Sequence, residues 1–487
     1  GSTNVLSTNL AASDNENVRK TSHEALLRLE QWVLSNGFIE LVKKRNQFAQ
    51  ALGYQNYFEY RVQKNERMTR EELVSILNEF ETLTRETCLK HLEQLARQKG
   101  KDSVLGHNLK FAAAGDAEKQ LNPYFRFEKS LETWMRSFAR LGIGYRGATL
   151  HLDLFDRPGK YENGFMHGPG PCFYDKDRWQ PARINFTSNA TPTQIGSGRK
   201  ALLTLFHEGG HAAHFSNITK NAPCFSQEYP PTSMAYSETQ SMFCDSLIND
   251  ADWLKLYAKD VHGQPVPDEV IRNFLTSDHP FMAFQERSIL VVPVFEDRLY
   301  SLAESEMTPA GITALARRCE KEILGVDCSP RPILAIPHLL GAESACSYQG
   351  YLLAHMAVYQ TRSHFERKYG YLADNPKVGA DLATHYWNPG NSLSHRETIQ
   401  SLTGATLSGR PLAEFCNLKN DDLWEKAKQK IEAAARRNSS DEKVQLDASI
   451  HIVHGAEIIA SNTESASRMW RDFETWIEKN YKADITS

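Results

Sequence analysis

The sequence predicts a mainly α protein with a small β-sheet placed beside one histidine-bearing helix. Three observations predict it: helical periodicity over most of the chain, one alternating segment at 145–190, and the return of helical periodicity from 199 onward. With 487 residues, 41% of them hydrophobic, the chain can bury a large core without staples or a partner.

Taken in order, HEALLRLEQWVLSNGFIELVKKRNQFAQALG (23–53) and TREELVSILNEFETLTRETCLKHLEQLARQKG (69–100) repeat apolar residues in the helical period, and Gly53 and Gly100 stand where helix stops are expected. Residues 145–190 instead alternate apolar and polar positions between Gly, Pro and Asp turn signals, which predicts a small sheet. Helical patterning then runs on, interrupted at VHGQPVPDE (261–269), CSPRPILAIPH (328–338) and WNPGNS (387–392). The polar run AARRNSSDEKVQ (434–445) reads as a linker or loop. After it, QLDASIHIVHGAEIIASN and ESASRMWRDFETWIEKNY are expected as two further amphipathic helices, the second introduced by Ser461 and Glu464 at capping-box spacing. These boundaries divide the chain into an N-terminal helical region (1–144), a catalytic region (145–435) and a C-terminal helical extension (436–487).

Composition narrows the function. A formal charge of -4, from 56 basic and 60 acidic residues, offers no polyanion-binding excess, so nucleic acid is not the expected partner. No apolar stretch reaches the roughly 20 residues of a membrane span. The eight cysteines are scattered without a CxxC pair, which argues against a disulfide scaffold or a thiolate metal site. A cytoplasmic, monomeric protein is expected.

The chemistry concentrates in LFHEGGHAAHF (205–215). On a helix, positions i and i+4 share one face, so His207 and His211 can place two imidazoles on one tetrahedral metal. Glu208, beside the first of them, can reach a water activated by that metal and take its proton. Histidines on an ordinary helix are the plain alternative, but Gly209 and Gly210 speak for close approach of a substrate or a neighbouring backbone, since each costs a helix interior roughly 1 kcal/mol relative to alanine. A catalytic site also needs a third ligand and an open fourth position. Glu238, in the helical pattern MAYSETQSMFCDSLI (234–248), is the expected third ligand, with Asp245 two turns on to orient a ligand histidine through its second nitrogen. Glu238 as a solvated helix residue, and Glu228 from the loop-like QEYPPTS as ligand in its place, are the alternatives.

Beyond this helix the chain resembles the thimet oligopeptidase and oligopeptidase F family of zinc peptidases, over about residues 15 to 435. The resemblance rests on DLFDRPGKYENGFMHGPGPC (153–172) and INFTSN (184–189) before the histidine helix, on YSETQSMF (236–243) after it, where Ser241 follows Glu238 as the small residue at i+3, and on HLLGAESACSYQGYLLAHM (338–356). In that last stretch a histidine leads into a tyrosine-rich helix, and His338, Tyr348 and Tyr351 occupy those places. Where the family shows a glycine-rich loop, this chain has Gly341, Ala342 and Glu343.

The resemblance implies an elongated helical zincin with a deep substrate channel, region 1–144 as one wall, and a single Zn2+ held by His207, His211 and Glu238. It implies Glu208 as general base and then acid, and Tyr348, Tyr351 and His338 as stabilisers of the oxyanion. His214 is explained equally by packing near the site. The implied activity is an oligopeptidase that cuts internal bonds of short unstructured peptides, with the strand around Gly164 to Tyr174 pairing to the substrate backbone. A carboxydipeptidase using a cation such as Arg331, Arg396 or Arg410, and a catalytically silent or single-substrate peptide-binding relative, are the competing expectations.

Overall fold

The computed structural model describes residues 3–113, 117–160, 164–220, 233–437 and 445–481. Helices dominate, with one small sheet, as the periodicity predicts. Among the described residues no helix is long and apolar enough to cross a membrane. The seven described cysteines are all free thiols. The chain forms two compact units: one from residues 1–115, 276–356 and 408–420, the other from 116–275, 357–407 and 421–487.

The first unit is helical. The stretch read as one periodic run at 23–53 is two helices, Glu16–Ser35 and Phe38–Ala51, because Gly37 between them takes a φ of 94°, open to glycine and strained for other residues. Helix Arg70–Lys99 starts at a full capping box between Thr69 and Glu72 and ends at Gly100, as its sequence indicates. Its middle is fixed to helix Met282–Tyr300 by Arg287, only 1% exposed, whose guanidinium reaches Glu81 Oε1 at 2.7 Å and the carbonyls of Glu81 and Ile323 at 2.7 and 2.6 Å. Nearly every donor of that buried cation is thereby matched, without which the buried charge would be strongly destabilising.

The second unit holds the sheet. Strands β1 (Thr149–Phe155), β2 (Phe165–Gly170), β3 (Phe173–Asp175), β4 (Arg178–Gln180) and β5 (Arg183–Ala190) fall inside the alternating segment. Two more, β6 (Ser449–His454) and β7 (Glu457–Ser461), come from the chain's C-terminal part. The main sheet runs β2-β5-β1-β6-β7, with β1 parallel to both β5 and β6, and β3 and β4 form a separate hairpin. Alternation puts Leu150, Leu152, Ile184, Phe186, Ile450 and Ile452 on one buried face, none more than 2% exposed. Over that face, Trp134 from helix Ser130–Arg140 meets Phe186 edge-on at 6.3 Å.

The C-terminal expectation needs correcting. Residues 449–461 are a β-hairpin and not a helix, because Ile450, Ile452 and Ala460 alternate with a period of two and Gly455, at φ 63°, makes the turn. Asp447 ties the hairpin in by accepting from the Tyr145 and Arg146 amides at 2.6 and 3.0 Å. The last helix does form, as Ala466–Tyr481, but Ser465 rather than Ser461 stands at its start, its hydroxyl accepting from Arg468 N at 3.1 Å. Its Phe473 and Trp476 pack against Phe155 at the end of β1, with ring separations of 5.9 and 4.7 Å.

Candidate metal centre

The site is built where helices Ser197–Ser216 and Met234–Ser246 meet in the second unit. Two glycines let the first helix lie this close to its neighbours. A Cβ on Gly210 would stand 2.8 Å from Gln240 O and 3.0 Å from Ser241 Cα, and one on Gly209 would meet Trp134 Nε1 at 2.6 Å. Both glycines therefore answer to packing, and at Gly210 the approaching group is backbone. Ser233 caps the second helix through a 3.0 Å bond from Tyr236 N. Ser241, one turn along, bonds Glu238 Oε2 at 3.0 Å.

From the facing turns, Nε2 of His207 and of His211 converge on Glu238 Oε2, at 3.5 and 3.8 Å. One ligand atom from each of these three residues lies within 4.8 Å of the others. Bonds of about 2.0–2.1 Å in a tetrahedral ion separate ligand atoms by about 3.3 Å, so this donor set fits a metal with little closure. With these three as ligands, a fourth position would remain for water or substrate.

Asp245 Oδ2 lies 2.9 Å from His207 Nδ1, an arrangement that fixes the ring and turns Nε2 toward the ligand cluster. Burial works against charge on His207, yet the hydrogen bond and charge of Asp245, with the carboxylates of Glu238 and Glu208, outweigh it and lift the pKa to about 9. The negative field that holds a proton on His207 would also favour a metal cation held by these residues, which would take the place of that proton. His211 feels the opposite balance: burial first, then its histidine neighbours, hold it well below the ordinary imidazole value.

Glu208 is buried, 6% exposed, and Gly164 at the start of β2 runs past it, since a Cβ there would stand 3.9 Å from Glu208 Oε1. Among the described residues strand β2 is an edge of the sheet and pairs with β5. His214 does not join the cluster. It lies in the core, stacked on Phe215 and edge-on to Tyr236, and burial drops its pKa to about 3. Glu228 falls outside the described residues.

The other sequence candidates gather in the first unit. His338, Tyr348 and Tyr351 form a ring cluster with centroids 5.1 to 5.9 Å apart, and Tyr351 Oη lies 3.5 Å from His338 Nε2. Arg331 donates to Tyr348 Oη at 3.2 Å, a contact that no sequence period announces. Arg410 pairs with Glu79 at 3.4 Å, and Arg396 lies in helix His395–Thr403 of the second unit.

Comparison with known proteins accords with this geometry. The sequence model of peptidase family M3 matches residues 9–418. The chain belongs to peptidase family M3. The M3 chain is accordingly a metallopeptidase, and the match stops before β6, β7 and the last helix. Solved structures show the same fold at low identity. An M32 carboxypeptidase from Deinococcus radiodurans R1 aligns with a TM-score of 0.57 at 14% identity, over 87% of this chain and 85% of that one. PZ peptidase A with an inhibitor aligns at 0.57 and 16%, over 87% and 71%. Metallocarboxypeptidase 1 of Trypanosoma cruzi aligns at 0.52 and 17%, over 89% and 79%.

Proposed function

We propose that this M3 metallopeptidase is a zinc-dependent oligopeptidase that hydrolyses internal bonds of short, unstructured peptides. The observation that carries the reading is the convergence of His207, His211 and Glu238 next to a buried glutamate beside the edge strand of the sheet. In the reading, those three residues hold one Zn2+, which when bound supplies Lewis-acid polarisation of the scissile carbonyl. Asp245 keeps the His207 ring in register. Glu208 takes a proton from the attacking water and delivers it to the leaving amine.

β2, at the edge of the sheet, is the strand to which an extended peptide would add, an interaction that reads main chain and tolerates varied side chains. Tyr348, Tyr351 and His338 are assigned to the oxyanion, a role supported by their family-like motif and by their clustering. Short peptides are the expected partners, with no nucleic acid or membrane, for a cytoplasmic monomer.

Carboxydipeptidase action is the second reading. It is favoured by Arg331, an exposed cation with no carboxylate at ion-pair distance among the described residues and with its guanidinium on Tyr348. A peptide ladder of increasing length, free or amidated at the C-terminus, decides between the two by mass mapping of products. Internal cuts that fade with length support the oligopeptidase, and an absolute need for the free carboxylate supports the carboxydipeptidase. No cleavage by zinc-loaded protein would overturn both in favour of a peptide-binding role.

A further inference from the structure

The nine residues between His338 and Tyr348, LLGAESACS, contain one glycine, where the resembled family is glycine-rich. Their backbone is bonded to side chains of other helices to an unusual extent. Arg45 of helix Phe38–Ala51 is 7% exposed and donates to the carbonyls of Leu339, Leu340 and Gly341 at 2.8, 3.0 and 2.9 Å. Its orientation is fixed in turn by Tyr300 Oη at 3.0 Å. Tyr57 donates to Ala342 O at 3.4 Å. Arg61, on the same helix Tyr57–Glu66, donates to Glu343 O, to Ala345 O at 3.3 Å and to Ser347 Oγ at 3.2 Å. Thus from Leu339 to Ala345 every carbonyl but that of Ser344, which accepts from Ser347 N, takes a bond from one of these side chains.

The amide side is held as well. Cys346 N donates to the buried Glu296 at 2.8 Å, while Cys346 itself takes a left-handed φ of 56°, a conformation that persists in a non-glycine residue only when its surroundings determine it. A Cβ on Gly341 would stand 2.2 Å from Ser344 Oγ and would turn away that hydroxyl, which donates to the His338 carbonyl at 3.0 Å. Two guanidinium forks spanning five carbonyls are a rigid fixture, because Arg presents its donors in one plane and loses little freedom per bond formed.

We propose that residues 339–347 are a fixed strap, and that Arg45 and Arg61 are positioning residues that hold His338, Tyr348 and Tyr351 in one arrangement through it. A glycine-rich loop would have to order as substrate binds. The strap is ordered beforehand, so the groups at its two ends need no ordering of this segment. The kinetic part of this inference rests on the peptidase reading, whereas the structural part does not.

The test uses the full metal-loaded chain, with Arg45→Ala and Arg61→Ala beside wild type. Amide exchange of Ala345, Cys346 and Ser347 should be about 100-fold or more slower than in an unstructured peptide, and about tenfold faster in each variant than in wild type. On a short peptide, kcat should fall about tenfold while KM stays within about twofold, since a loosened strap removes transition-state contacts and leaves ground-state binding intact. Thermal melts check folding. If Arg45→Ala does not fold, the more accessible Arg61→Ala carries the test. Unprotected amides in wild type, unchanged exchange in the variants, or a loosened strap with unchanged kcat would each overturn the proposal. Were wild type to cleave no peptide, the peptidase reading would fall and the exchange data alone would decide for or against the strap.

Discussion

The two candidate clusters are held in place by different means. His207, Glu208 and His211 are set by the period of one helix, and Glu238 and Asp245 by the period of the next, so five side chains need only one packing contact to be correct: that between the helices at Gly210. His338 and Tyr348 depend instead on a non-repetitive segment whose shape comes from Arg45, Arg61 and Glu296, each remote in sequence. A site written into helical spacing is robust to its surroundings. One written into a loop is only as well defined as the side chains that reach it.

That contrast can be broken most sharply at Glu208. Glu208→Gln should lower kcat by about 10³-fold, within the range for loss of a positioned general base, while metal content by elemental analysis stays at the wild-type level. Loss of the metal along with activity would mean that Glu208 serves the ligand cluster rather than the reaction. Next in size, Asp245→Asn keeps the shape of the His207 partner but not its charge, and should weaken metal affinity by about 10- to 100-fold in a competition titration against a chelator. An unchanged affinity would remove Asp245 from the site.

Gly210→Ala tests the packing contact itself. Its Cβ would lie 2.8 Å from Gln240 O, so the helices must part, with a stability loss of about 1–3 kcal/mol by denaturant titration and a drop in metal affinity beside it. In the other cluster, burial pushes the Glu296 pKa up to about 7, against the favourable Cys346 amide and the charges of Arg45 and Arg61. The folded chain then binds a proton that the unfolded chain releases near pH 4.5. Stability should therefore fall as pH rises from about 4.5 to about 7 and level off above it, and Glu296→Gln should flatten that slope. A slope unchanged by the substitution would assign the pH dependence to other groups. The smallest effect is expected at Arg410, whose pair with Glu79 is largely exposed: Arg410→Ala should change stability by less than about 0.5 kcal/mol.

How much of this the sequence revealed follows the same division. The helix and strand periods announced the helical body, the strands of 149–190 and the two helices that carry His207, His211 and Glu238, because each is a short-range pattern. That Asp245 could reach one of the two histidines was legible too, though not that the histidine is His207. The C-terminal hairpin was misread because SIHIV and EIIAS are short apolar runs in which a strand and a helix look alike until a neighbouring strand chooses between them. Arg45, Arg61 and the contact of Arg331 with Tyr348 left no trace, since a guanidinium that bonds carbonyls or a phenol obeys no spacing rule.

Strand β6 has a consequence for the birth of the molecule. Thr149 pairs with Ser449, so β1 waits on the ribosome for a partner made after everything that the family match covers. Such distant pairing is slow to form and comes late. Until residue 461 has emerged, the buried apolar face of Leu150 and Leu152 lacks Ile450 and Ile452 beside it, and the layer under the histidine helix is incomplete. A nascent chain would thus carry His207, His211 and Glu238 long before it carries a finished floor for them.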